Sequence, residues 1–219
     1  MTDPGQVAWP APLRGVTETV TTTRGPEGRW NVAALGVRAP ADGGDPATEG
    51  PASGASGASA PGGPGSDAPA TARTWGRTRT RGNFERRGEG YVQFVDDPLV
   101  FVQAALGVAE RDEPVLPDAA AWARVTARRR AEGVTDGTEW VEWTLRPVEA
   151  VVRERRVPTI NRGFGAVVEA TVWASRLGVE GYDEADLRER LDFLADVVDA
   201  AGGERERAAF ERLRELSNA

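Results

Sequence analysis

Before Pro158 the apolar positions of the chain mostly alternate with polar ones, and after it they recur at helical spacing. Gly15 to Arg24, "GVTETVTTTR", is rich in threonine and β-branched residues and reads as a strand. "GPEG" (Gly25 to Gly28) punctuates a turn, and "RWNVAALGVR" (Arg29 to Arg38) resumes a strand, so the pair predicts a hairpin. "TARTWG" (Thr71 to Gly76) returns as a third strand. "GYVQFVDD" (Gly90 to Asp97) makes a fourth, with Tyr91, Gln93 and Val95 on the face opposite Val92, Phe94 and Asp96.

"DPLVFVQAALG" carries a helix signature, with Asp97 as N-cap, Pro98 at the first helical position and Gly107 as the stop. Two longer β segments follow, Ala120 to Gly133 and Thr138 to Arg156, the second interrupted by Pro147 as an edge or a bulge would be. Beyond Pro158, Ile160, Phe164, Val167, Val168 and Val172 keep helical spacing, as do Leu187, Leu191, Leu194 and Val198, then Leu213 and Leu216. Asp183 and Gly202 bracket the middle helix as cap and stop. The pattern predicts an α+β fold of six or so antiparallel strands in a small barrel, followed by a C-terminal helical region of about three helices.

Ala39 to Ala70 breaks this pattern. Of its 32 residues 27 are Ala, Gly, Pro or Ser, and none is Val, Ile, Leu, Met or aromatic, so it lacks the apolar surface to offset the entropy of ordering. Strands flank it on both sides, which predicts a disordered, expanded hairpin loop inside one domain rather than a linker. The expected division is a barrel domain over 1–156 and a helical domain over 157–219.

Composition narrows the chemistry. The 219 residues include no cysteine and no histidine, which removes thiolate and Ser-His nucleophiles and the usual zinc and iron ligand sets. Redox or group-transfer chemistry would need a bound group to carry it. The net charge is -7, and all 27 basic residues are arginine. An acidic chain without lysine points to a cytoplasm of high salt, and a GC-rich genome that favours Ala, Gly and Arg codons is the other source of that bias. Neither an apolar N-terminal stretch nor an apolar run of about eighteen residues is present, so the expected location is the cytoplasm.

Two stretches carry candidate chemistry. In "WGRTRTRGNFERRGEGYVQF" (Trp75 to Phe94), Arg77, Thr78, Arg79 and Thr80 precede a short helix, with Thr80 placed to cap it and Gly88 to end it. Free N–H groups at a helix start, hydroxyls and guanidinium forks suit a phosphate, and Gly82 would let a ligand approach the backbone. The same charge pattern fits a solvated edge whose arginines pair with Glu85 and Glu89. In "RWNVAALGV", Asn31 is followed by Ala33, Ala34 and Gly36, small residues that expose strand backbone to a flat heterocycle or simply pack in a barrel interior. A third reading takes Arg73, Arg77, Arg79, Arg81, Arg86 and Arg87, with Trp75 and Phe84 to stack, as a nucleic-acid surface; the acidic total weighs against it.

Together the two stretches resemble the FMN-binding split-barrel proteins, the group of flavin reductases and pyridoxamine phosphate oxidases. More closely, "TETVTTT", "NVAALGV", "RTRTRGNF", "FVDDPLVFVQAALG" and "NRGFGAVVEATVWASR" resemble an archaeal branch of unassigned function, domain of unknown function four-four-seven. The resemblance implies a split barrel with FMN as cofactor, held in a groove between two subunits of a homodimer. It places Arg77, Thr78 and Thr80, with Asn83 close behind, at the phosphate; Thr21, Thr22 and Asn31 along the flavin; and backbone near Ala33, Ala34 and Gly36 against its ring. The long 39–70 insertion and the absence of lysine depart from those relatives, and arginine grips phosphate in bidentate fashion in lysine's place. Glu169 and Arg176 share one helix face and either reach the groove or form an interior-facing salt bridge or a surface pair; Asn161 and Arg162 at the start of that helix either reach the groove too or, in the case of Asn161, serve only as a cap. The implied functions are a flavoprotein that transfers electrons or hydride and a module that holds FMN or another phosphorylated ligand without turnover. The reaction stays open between flavin reduction, oxidation of a pyridoxine-like ring and reduction of a pterin.

Overall fold

A wall of seven strands forms, and six of them close on themselves. The computed structural model describes residues 7–39, 66–135, 137–157 and 159–217. Its elements are β1 (Val16–Arg24), β2 (Trp30–Arg38), β3 (Ala70–Trp75), α1 (Arg79–Arg87), β4 (Glu89–Phe94), α2 (Pro98–Leu106), β5 (Ala109–Arg111), β6 (Ala121–Thr135), β7 (Thr138–Val152), α3 (Arg162–Ala174), α4 (Glu184–Ala201) and α5 (Glu204–Ser217).

β1 and β2 pair antiparallel along their whole length, from Val16 opposite Arg38 to Arg24 opposite Trp30. At the "GPEG" turn Gly28 adopts φ 89°, a conformation that favours glycine, and the Gly25 N–H donates to the Arg29 carbonyl at 2.7 Å. From β1 the ladder runs through β4, β6, β7 and β3 back to β2, all antiparallel, which closes a six-stranded barrel. The second edge of β2 is shared: β3 takes Val37 and Arg38, while β5 takes Trp30 to Val32. β5 has only three residues, too few for any alternation to announce it. Pro147 lies at a bulge, as pairing steps from Arg124 with Glu149 to Val125 with Pro147, and the strand is internal rather than an edge.

Alternation on these strands builds two apolar layers. Leu35, Val37, Ala72, Val92, Val125, Val141, Trp143 and Leu145 fill the barrel interior. Helix α1 plugs one end with Phe84, which is 2% exposed and lies 5.2 Å from the Trp143 ring, centroid to centroid. On the outside, Val20 and Val32 pack under Phe101 and Ala104 of α2. The opposite side of α2 presents Val102 to a cluster of Val167, Leu191, Val198, Phe210 and Leu213 from α3, α4 and α5. α2 is therefore the layer shared by barrel and helices.

The helix limits follow their caps. The Asp97 carboxylate accepts from the Leu99 and Val100 N–H groups, and the Gly107 N–H closes the other end on the Gln103 carbonyl. Asp183 and Gly202 bound α4, and the left-handed Gly88 ends α1. Ile160 departs from the helical spacing expected of it: α3 starts two residues later, and Ile160 is exposed.

Within the segment expected to be a disordered loop, residues 40–65 lie outside the described residues. Its last residues are held. The Trp9 N–H donates to the Ser66 carbonyl at 2.9 Å and the Trp9 indole to the Ala68 carbonyl at 3.1 Å, and Trp9 is buried. β2 and β3 pair antiparallel on either side of the segment, as a hairpin connection requires.

Phe84→Ala is expected to cost about 3–5 kcal/mol in urea denaturation, through lost burial and the cavity left at the barrel end. A loss below about 1 kcal/mol would mean that α1 does not plug the barrel.

Candidate functional site

The first turn of α1 is built by a glycine and a threonine. Gly76, at φ 63°, turns the chain out of β3, and Thr78 then takes an extended conformation (φ -86°, ψ 159°). Its hydroxyl accepts the Arg81 N–H at 3.2 Å, so Thr78 is the N-cap. Thr80, expected in that role, lies one turn inside with 4% exposure, where its hydroxyl accepts from the Asn31 amide at 3.4 Å. Two threonines spaced two apart both suit the cap in sequence. Contact with β2 decides between them by drawing Thr80 inward.

No acidic residue lies in this first turn. The backbone N–H groups of Arg79 and Thr80, at the positive end of the helix dipole, have no hydrogen-bond acceptor among the described residues. The surrounding arginines are mostly neutralised. Glu110 takes Arg79 at 2.9 Å and Arg29 at 4.0 Å; Glu85 takes Arg81 at 3.2 Å and Arg129 at 2.9 Å; Glu142 takes Arg73 and Arg130, each at 3.1 Å. The Arg81 hydrogen bond, seconded by Arg129, holds the Glu85 carboxyl below the usual carboxylate range. Arg81 also reaches Glu139 at 3.2 Å, and Arg86 donates to the Asn83 side-chain oxygen. Glu89, the other expected partner, forms no ion pair among the described residues. Arg77 is exposed, and among the described residues no carboxylate lies within ion-pair distance of it.

Behind this turn the polar residues are occupied. The Asn83 amide donates to the Thr23 hydroxyl at 2.9 Å and to its carbonyl at 3.3 Å, which with the Asn31–Thr80 bond fixes α1 to the β1–β2 hairpin. Strand alternation separates the remaining candidates. Thr21 stands opposite Ala33 and Val92, so all three face the interior, and the Thr21 hydroxyl is buried with no partner among the described residues. Thr22 faces outward, donating to the Pro114 carbonyl at 2.6 Å and accepting from the fully buried Gln93 amide at 3.2 Å. Gln93 in turn accepts the Leu116 N–H at 2.6 Å, which pins the loop after β5 to the barrel wall.

Ala34 lies outward under the α2 and α3 cluster. A Cβ on Gly36 would come within 2.9 Å of a Val16 methyl and 3.3 Å of a Glu18 carboxylate oxygen, so the chain itself occupies the space that glycine leaves. The structure thus brings Arg77, Thr78, Thr80, Asn31 and Asn83 together at one end of the barrel. It distributes Thr21, Thr22, Ala33, Ala34 and Gly36 over both faces of the wall.

The α3 residues belong to the helical layer. Asn161 caps α3 by accepting the Phe164 N–H at 3.0 Å, and it donates to the buried Glu206 at 2.8 Å. Arg162 is exposed, and Arg176 stacks over Trp173 and Tyr182 at 4.8 and 5.2 Å. Glu169 bears on β1: desolvation against the sheet, and then the Glu169 charge, push the Glu18 carboxyl above its ordinary 4.5.

A carboxyl raised in the fold favours folding below its unfolded pKa and loses that contribution as pH rises through its folded value. Glu18→Gln is therefore expected to raise the melting temperature near neutral pH, with the gain fading as pH falls through the raised folded value and gone below about 4.5. A gain that persists in acid would show that Glu18 is not strained by charge.

The chain matches the family described as "Protein of unknown function (DUF447)", with its N-terminal domain model over residues 55–154 and a second model over 161–215. No curated protein matches it. Among solved structures, an FMN-bound DUF447 protein from Methanosarcina mazei superposes with a TM-score of 0.68 at 22% identity, covering 93% of this chain and 95% of that one. Nitrilotriacetate monooxygenase component B from Bacillus cereus gives 0.44 at 15% identity, over 68% of this chain and 76% of that one. The styrene monooxygenase flavin reductase from Pseudomonas putida gives 0.37 at 11% identity, over 64% and 81%. The Methanosarcina protein shares the overall fold, and with the two family models spanning most of its length the chain belongs to the DUF447 family.

Proposed function

We propose that the chain is an FMN-binding flavoprotein that exchanges electrons or hydride with a small molecule, the FMN phosphate being held at the first turn of α1. The observation that carries this reading is Arg77, exposed and without a carboxylate partner among the described residues, beside a Thr78-capped helix start that has no acid in its first turn. The FMN-bound Methanosarcina structure of the same fold supports it.

The donor set suits a phosphate dianion. Two backbone N–H groups, the Arg77 fork and the Thr78 hydroxyl converge in charge and type on what a phosphate accepts. Thr78 and the Asn31 and Asn83 bonds hold α1 in place, so little order has to be created on binding. When bound, FMN supplies the redox chemistry that a chain without cysteine or histidine lacks. Trp75, 47% exposed and two residues before Arg77, offers an aromatic face next to that cradle.

Ala34 packs under α2 and α3 and the space beside Gly36 is filled by Val16 and Glu18, so a flavin ring beside α1 is left short of one wall. A second copy supplying it gives the homodimer of the proposal, with FMN near the subunit interface. The paired arginines favour one phosphate over a nucleic-acid strand, which needs a row of bare cations.

Fluorescence titration is expected to show saturable FMN binding that Arg77→Ala weakens about ten- to hundredfold, the worth of a hydrogen bond to a charged group. Thr22→Val should leave the affinity near that of the parent chain, because the Thr22 hydroxyl is committed to Pro114. Absence of FMN binding overturns the proposal. Bound flavin that neither NADH nor NADPH bleaches would reduce it to a binding module.

A further inference from the structure

We infer that a second ligand site, for a small amphipathic carboxylate, lies between α2, β5 and α5. A pocket of about 440 Å³ opens there, within the range of small-molecule sites. Its wall is mainly apolar, formed by Val32, Val100, Ala104 and Leu116. Two guanidiniums border it, Arg111 from β5 and Arg212 from α5. Arg212 is partly committed, donating to Gln103 at 3.0 Å and to Glu215 at 2.7 Å. Arg111 forms no ion pair among the described residues, although its neighbour Glu110 is shared by Arg29 and Arg79.

An apolar pocket with a bare cation at its rim complements a molecule with an apolar body and one anionic end. The chain as a whole is acidic, so an arginine without a carboxylate partner beside apolar surface gives this pocket a charge preference opposite to the chain's net charge.

Strand alternation keeps this pocket apart from the α1 cradle. On β5, Ala109 and Arg111 face the pocket, whereas Glu110 between them faces Arg79 at the start of α1. On β2, Val32 lines the pocket while Asn31 turns inward to Thr80. The two sites occupy opposite sides of the β2–β5 ladder, and the pocket goes beyond the flavin reading without relying on it.

Octanoate and 1-octanol, equal in length and different in charge, are the probes for calorimetric titration of the full chain. Octanoate is expected to bind with one-to-one saturation and at least tenfold more tightly than octanol. Arg111→Gln should bring octanoate to the level of octanol while leaving octanol unchanged, and Val100→Trp should block both with the melting transition retained. Arg77→Ala should keep octanoate affinity while weakening FMN about ten- to hundredfold, which separates failure of this site from failure of the flavin site. No saturable binding, equal affinity for the two probes, or an unaffected Arg111→Gln variant overturns the inference. Displacement of octanoate by FMN overturns it as well, because the pocket would then be part of the flavin site.

Discussion

The full-length pairing of β1 with β2 is the constraint on which the rest of the molecule depends. A ladder nine residues long, its register fixed from Val16–Arg38 to Arg24–Trp30, commits every side chain of both strands to one side of the barrel wall. A slip by one residue would put Thr22 in the apolar interior and withdraw it from Pro114 and Gln93, and would turn Asn31 away from Thr80. The inward set receives α1 and closes the barrel end. The outward set receives α2, and through it the helical layer. The first turn of α1 and the pocket beside α2 therefore stand back to back on one thin ladder.

Helix α1 combines two tasks that usually conflict. Its Phe84 is a core residue, and its first turn is a polar surface only a few residues away. Burying a short helix end is costly unless its free donors find partners. Here the buried side chains Thr80 and Asn83 are bonded to Asn31 and Thr23, Thr78 takes the Arg81 N–H, and the Arg79 and Thr80 N–H groups are left without an acceptor among the described residues. Stability of the plug and of the proposed phosphate cradle rests on the same few bonds.

Much of the fold was legible from local chemistry. Asp97, Asp183, Asn161, Gly88 and Gly202 mark helix limits because a cap is read from neighbours in sequence. The six barrel strands were legible from β-branched runs and alternation. What escaped depended on distance along the chain. β5 is defined by an edge that β3 leaves vacant, and the cap passed to Thr78 because Asn31, 49 residues before Thr80, holds Thr80 inward. The Gly36 position looked like room for a ligand, and only the register shows Val16 and Glu18 filling it. Arg111 and Arg212 meet across a pocket that no local pattern could announce.

The shared glutamates around α1 have a further consequence. Glu85, Glu110 and Glu142 each stand between two arginines, so the local field is shaped by subtraction. Bare, these cations would form a continuous attractive sheet and would gather any polyanion in the cell. Masked in pairs, they leave isolated points of positive potential, and Arg77 is the one that the proposed FMN phosphate would meet. In that reading the carboxylates act as the filter, and the arginine left over defines what passes.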